Sequence, residues 1–120
     1  MRIIIDLDGT ICHLKKSDQT YADLKPLPGA VEKLNALKND GWYIVIQTAR
    51  NMATQESNIG KVIKNIGKIT LDWLEEFEVP YDEIYFGKPN GQVYLDDRAH
   101  RFEGWDKIDS NELKIIAKEK

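Results

Sequence analysis

Apolar residues along this chain follow two rhythms. Short β-branched or aromatic runs, Ile3-Ile4-Ile5, Tyr43-Ile44-Val45-Ile46, Ile84-Tyr85-Phe86 and Val93-Tyr94-Leu95, have strand length and read as buried strands. Between them the period lengthens to that of a helix. Ala30, Val31, Leu34 and Leu37 share one face after Pro28-Gly29, and Asp40-Gly41 ends that helix. Ile66, Ile69, Trp73, Leu74 and Phe77 share a second helical face, which Pro80 stops. Residues 111–118 predict a last helix, capped by Ser110 or Asn111, with Leu113, Ile116 and Ala117 facing inward. Two stretches lack either rhythm. Residues 11–27 are polar and irregular and read as a flap; residues 51–65, with Gly60 among many polar side chains, read as a loop. Asn90-Gly91 marks a tight turn between the third and fourth strands.

Strand and helix in alternation predict an α/β domain: a three-layer, Rossmann-like arrangement around a mostly parallel sheet, with right-handed crossovers. Sheets of this kind hold their ligands beyond the carboxyl ends of the strands. A chain of 120 residues buries roughly two thirds of its unfolded surface, enough for one core, so residues 1–120 are expected to form a single domain. Its 42% hydrophobic and 31% charged residues argue against intrinsic disorder. A formal net charge of −3 excludes a bulk-basic nucleic-acid binder and leaves a local basic patch open. No apolar run approaches the roughly 20 residues that cross a bilayer. Asp6 closes the first apolar run too early for a signal-peptide core, so the expected compartment is cytoplasmic. The single cysteine, Cys12, excludes an internal disulfide and a Cys-based zinc site, and reads as a small buried filler.

Chemistry gathers at the strand ends. Asp6 and Asp8 follow the first strand, Thr48 the second, Lys88 the third, and Asp96 with Asp97 the fourth. Four carboxylates brought to one sheet edge repel: two unit charges 4 Å apart cost about 4 kcal/mol even at a screened effective dielectric. Lys88 offsets one charge and a divalent cation two more. Hard carboxylate oxygens without His or Cys favour Mg²⁺, which takes one or two protein carboxylates together with water and a substrate phosphate. Asp6 and Asp8 lie two apart, so in extended chain both face one side, and Gly9 then frees the backbone to turn. One carboxylate can act as nucleophile while its neighbour moves protons.

Asp6-Leu7-Asp8-Gly9-Thr10 after an apolar strand resembles the first motif of the haloacid dehalogenase-like (HAD) phosphohydrolases. Thr48 resembles the second motif, Lys88 in Gly87-Lys88-Pro89 the third, and Asp96-Asp97 the fourth, in the family's order. Thr48-Ala49-Arg50-Asn51-Met52 and Tyr94-Leu95-Asp96-Asp97-Arg98-Ala99 are further similar to small capsule-biosynthesis-type phosphatases of that superfamily. The resemblance implies a Mg²⁺-dependent phosphomonoesterase working through an aspartyl phosphate. Asp6 would be nucleophile and metal ligand. Asp8 would be the general acid/base and lend its carbonyl to the metal. Thr48 and Lys88 would hold the phosphoryl group, and Asp96 would be the second carboxylate ligand. Gly9, Thr10 and Asp97 would support them. The spacing leaves room for the flap and the loop but for no separate cap domain. The site should therefore be open, suiting a large substrate or closure by a second subunit, so a homo-oligomer is plausible.

The substrate class implied by resemblance is a small phosphorylated one, a sugar phosphate or surface-polysaccharide precursor. The alternative is a polynucleotide 3′-end phosphatase, which the negative net charge disfavours without excluding nucleic acid. A phospho-receiver module shares the size and the residue types. Receivers place their phospho-acceptor after the third strand, and here no Asp stands there. Ala49, Arg50 and Arg98 are candidate substrate contacts, since guanidinium matches phosphate geometry, and a salt-bridge role is equally open for both arginines. Lys61, Lys64 and Lys68 read as a solvated helix face, and Trp42, Trp73 and Trp105 as core.

Overall fold

The computed structural model describes residues 1–118. Strands β1 (Arg2–Asp6), β2 (Tyr43–Thr48) and β3 (Glu83–Phe86) form one parallel sheet in the order β1-β2-β3. The register pairs Ile3 with Ile44, Ile5 with Ile46, and Ile46 with Ile84, so these isoleucines share one face. Helices α1 (Ala30–Asn39), α2 (Ile59–Glu76) and α3 (Ser110–Lys118) complete the α/β fold that the alternation predicts.

Crossovers of one hand that advance in one direction lay their helices on one side of a sheet. The core agrees. Ala30, Leu34 and Leu37 of α1 and Trp73 and Leu74 of α2 cluster with Ile5, Ile44 and Ile46. Met52, Val62 and Ile66 form a smaller cluster against Phe86. The opposite face is far more open. Ile4 and Tyr85 stand exposed on its outer strands, while Val45 on the central strand is buried.

Each of the three indoles is buried, and each N–H ties one segment to another. Trp73 donates to the Leu24 carbonyl (2.7 Å), Trp42 to Ser110 Oγ (2.9 Å) and Trp105 to the Thr10 carbonyl (2.6 Å). A buried aromatic with a satisfied polar tip both fills the core and fixes the connection.

Four expectations change. Helix α2 starts at Ile59, so residues 59–65 are helical and not loop. The Asn58 side chain accepts from the Lys61 amide (3.1 Å) and caps it, and Val62 and Ile66 bury its first turns despite Gly60. Residues 11–27 are irregular, but Ile11, Cys12 and Leu24 are buried and Leu27 donates its amide to the Ile11 carbonyl (2.8 Å), so the flap is anchored. Ala117 is exposed.

The fourth strand is not formed. Val93 is 81% exposed and Leu95 fully so. Local contacts hold the segment instead: Tyr94 donates its hydroxyl to the Pro89 carbonyl (2.6 Å) and its ring sits 4.1 Å from Lys88 Nζ. Among the described residues the outer edge of β1 therefore carries no partner strand. Among the described residues no helix is long and apolar enough to cross a membrane.

Candidate active site

A hollow of about 450 Å³ opens at the carboxyl end of the sheet. Asp6 lines it from the end of β1 and Asp8 from the turn that follows, Ala49, Arg50 and Asn51 from the turn after β2, and Lys88 from the residues after β3. Leu14, Lys15 and Tyr21 of the anchored flap complete the lining together with Tyr94.

The turn after β1 is built around one carbonyl. Leu7 O accepts the amides of Thr10 (3.2 Å), Ile11 (2.8 Å) and Cys12 (3.1 Å). Gly9, at φ +82°, supplies the left-handed residue this reversal requires, and its amide donates to the Cys12 carbonyl (2.8 Å). The chain thereby brings Cys12 back beside Asp8.

Asp8 faces Arg50 across the hollow's floor. Arg50 Nε donates to Asp8 Oδ2 (2.8 Å) and Nη2 to Oδ1 (2.9 Å), a two-pronged pair. Nη1 donates to Thr70 Oγ1 of α2 (3.0 Å), and the Tyr21 ring covers the guanidinium at 4.2 Å. The Arg50 side chain is 0% exposed and that of Asp8 23%. Sequence left Arg50 open between substrate contact and salt bridge; the structure gives the salt bridge, because each guanidinium nitrogen is already bonded and the side chain is enclosed.

Lys88 is positioned by the β2–β3 ladder, which continues one step as its amide donates to the Thr48 carbonyl (3.0 Å). Gly87 makes the turn at φ +97°, and a β-carbon there would stand 2.7 Å from Ile59 Cδ1. Lys88 Nζ then lies 3.5 Å from Asp6 Oδ1. Burial pushes the Asp6 carboxyl above its ordinary pKa; Lys88 and the Leu7 amide pull against that rise, and the charge of Asp8 adds to it.

Not every expected residue reaches the hollow. Thr48 is fully buried beneath it, its Oγ1 accepting the Arg50 amide (3.1 Å). Thr10 meets Trp105 through its carbonyl (2.6 Å). Asp96, Asp97 and Arg98 lie exposed on the segment that forms no strand, where Asp96 Oδ1 accepts the Arg98 amide (2.8 Å). The hollow therefore gathers two carboxylates and not four, and Arg50 and Lys88 balance them. Sequence reasoning missed Tyr21, Asn51, Thr70 and the bond from Cys12 to Asp8 (Sγ to Oδ1, 3.4 Å). Thr70, in mid-helix, carries no sequence signal. Cys12, four residues past Asp8, becomes a neighbour only through the turn.

No three of His, Cys, Asp and Glu cluster as metal ligands among the described residues. The donors still fit a cation of one kind. Asp6 presents a hard carboxylate that is about one third exposed, and the two acids already have their counter-charges. An arriving phosphoryl dianion would bring two further negative charges, which a Mg²⁺ held by water, phosphate and one carboxylate would match. Such an ion would rest on Asp6 and the Asp8 carbonyl.

No family model matches the chain, and no curated protein does. Among solved structures, an MCSG target from Vibrio cholerae is 40% identical over 99% of this chain and 98% of that one, with a TM-score of 0.85. D,D-heptose 1,7-bisphosphate phosphatase from B. bronchiseptica, solved with magnesium and phosphate, is 20% identical over 76% of this chain and 51% of its own, with a TM-score of 0.51, a likeness of fold. A chain of the Pnkp1/Rnl/Hen1 complex gives 19% identity over 81% of this chain and 31% of that one, with a TM-score of 0.49.

Proposed function

We propose that this chain, which belongs to the family of the Vibrio cholerae protein, is a phosphomonoester hydrolase of the HAD type acting on a small phosphorylated substrate. The observation that carries the reading is the pairing in one hollow of a half-open Asp6 beside Lys88 with an Asp8 held two residues on. Asp6 Oδ attacks phosphorus, and the bond to the leaving oxygen breaks as that oxygen takes its electron pair and a proton from Asp8. Water then attacks the aspartyl phosphate, gives its proton to Asp8, and the bond from phosphorus to Asp6 breaks to release phosphate. Lys88 counters the charge that gathers on the phosphoryl oxygens. Bound Mg²⁺ would neutralise the phosphoryl dianion and orient it toward Asp6.

Asp96 enters this reading on one condition. Pairing of residues 93–95 with the free edge of β1 would carry it to the sheet end where Asp6 stands. The exposed apolar triplet and the unpaired edge support that pairing.

The residues that resemble capsule-type phosphatases, 48–52 and 94–99, support a substrate class, and the fold is shared with an enzyme named for a heptose bisphosphate. A sugar phosphate is the favoured substrate. A phosphate-release screen over sugar phosphates, nucleotides and 3′-phosphorylated oligonucleotides, with and without Mg²⁺, tests it. Turnover of a sugar phosphate that requires Mg²⁺ and is abolished in Asp6→Asn supports the reading. Hydrolysis of none of these esters, or full activity in Asp6→Asn, overturns it.

A further inference from the structure

We infer that Arg50 is a positioning residue: it holds the Asp8 carboxylate at the angle from which a proton reaches the leaving oxygen. The inference rests on the phosphatase reading above and assigns Arg50 a role in catalysis that involves no contact with substrate.

The fold commits the whole guanidinium. Both carboxylate oxygens of Asp8 receive an Arg50 N–H, and Nη1 is anchored 3.0 Å from Thr70 Oγ1 on α2. Nη2 also reaches Cys12 Sγ at 3.5 Å, and Tyr21 covers the group's face. A side chain meant to grasp phosphate would keep donors turned to the hollow. This one is fully buried.

Burying a charged pair is not an efficient way to stabilise a protein, since desolvation takes back much of the Coulomb gain. It is an efficient way to fix geometry. Guanidinium is planar, so two parallel hydrogen bonds set both the position and the plane of the carboxylate. Thr70 in turn fixes the guanidinium against a helix of 18 residues, the longest in the fold. Asp8 itself sits on a turn, and a turn alone would leave its rotamer loose. Asp6 differs: its salt-bridge partner is Lys88 at 3.5 Å, and a third of its side chain is open. One acid is left accessible for attack and the other is locked for proton transfer.

The test uses two leaving groups. General-acid help matters most when the departing alkoxide is strongly basic, and least when it is an acidic phenol. Arg50→Lys keeps the charge and loses the fork. Its kcat/KM for an alkyl phosphate should fall about 100-fold, the scale of a 1 Å misplacement, and that for 4-nitrophenyl phosphate several-fold less. Thr70→Val, which leaves the Arg50–Asp8 pair in place and frees its anchor, should show the same inequality at smaller amplitude. It keeps the test open should Arg50→Lys fold poorly, with circular dichroism reporting the fold. Equal losses on both esters, or no loss, in a folded variant overturn the inference and leave the phosphatase reading intact. Absence of any hydrolysis by the parent protein overturns the reading itself.

Discussion

Lys88 Nζ lies 3.5 Å from Asp6 Oδ1 while the Tyr94 ring sits 4.1 Å from the same ammonium. The lysine thus neighbours both the proposed nucleophile and the Tyr94 ring that helps line the hollow. Replacing it with Met keeps the length and removes the charge. Lys88→Met should lower kcat by about 10²–10³-fold, the usual loss for one charge-stabilising donor. Steady-state assay on the best ester from the screen measures it, and a change below threefold would remove Lys88 from the mechanism.

Gly87→Ala should be costly. The backbone there is at φ +97°, and the new β-carbon would meet Ile59 Cδ1 at 2.7 Å. Left-handed strain at a non-glycine residue costs about 1–3 kcal/mol, and the exposed Ile59 side chain can turn aside from the new β-carbon. Chemical denaturation should show a loss in that range. Ile59→Ala in the same chain should recover little of it, which isolates the backbone component.

Asp82 provides a pH signature away from the hollow. Lys38 Nζ donates to both its oxygens (2.8 and 2.7 Å), and the Ile44 amide donates to Oδ2 (2.7 Å). Hydrogen bonding from Lys38, then from the Ile44 amide, holds this carboxyl below the ordinary range. A depressed folded pKa means that its stabilisation is present above the unfolded value of about 3.9 and fades as pH falls through the folded one. Asp82→Asn should therefore lower Tm at pH 7, and the gap to the parent should close below pH 4. A constant gap across that range would show that the loss lies elsewhere.

Mg²⁺ should act on the segment around Asp96 if that residue joins the site. Hydrogen exchange at residues 92–96 should slow when Mg²⁺ and a phosphate analogue are added together, and Asp96→Asn should abolish the slowing. Rapid exchange under all conditions would leave Asp6 as the one carboxylate ligand.

Three strands and three helices were legible because their periods match the two faces that packing rewards. Ile3, Ile5, Ile44 and Ile46 form that buried face. The start of α2 was hidden because Gly60 and a polar surface lower the local signal, and the Asn58 cap is one residue long. Val93-Tyr94-Leu95 misled because an apolar run does not by itself bring a segment to an open strand edge, and Tyr94 is held instead by the Pro89 carbonyl and Lys88. The site was half legible. The strand ends bring Asp6, Asp8 and Lys88 to one hollow, yet the anchoring of Arg50 depends on Thr70, twenty residues away and unremarkable in sequence. Arg50 balances an acid that sequence left uncompensated, so less negative charge remains for a metal to offset.

The turn around Leu7 has a practical corollary. Cys12, the chain's one thiol, is wholly enclosed there, and burial, reinforced by Asp8, pushes its pKa up to about 12. Thiol reagents can modify it only during excursions in which the turn opens. The labelling rate, followed over denaturant, is therefore a built-in clock for breathing of the turn that carries Asp8, and it needs no engineered probe.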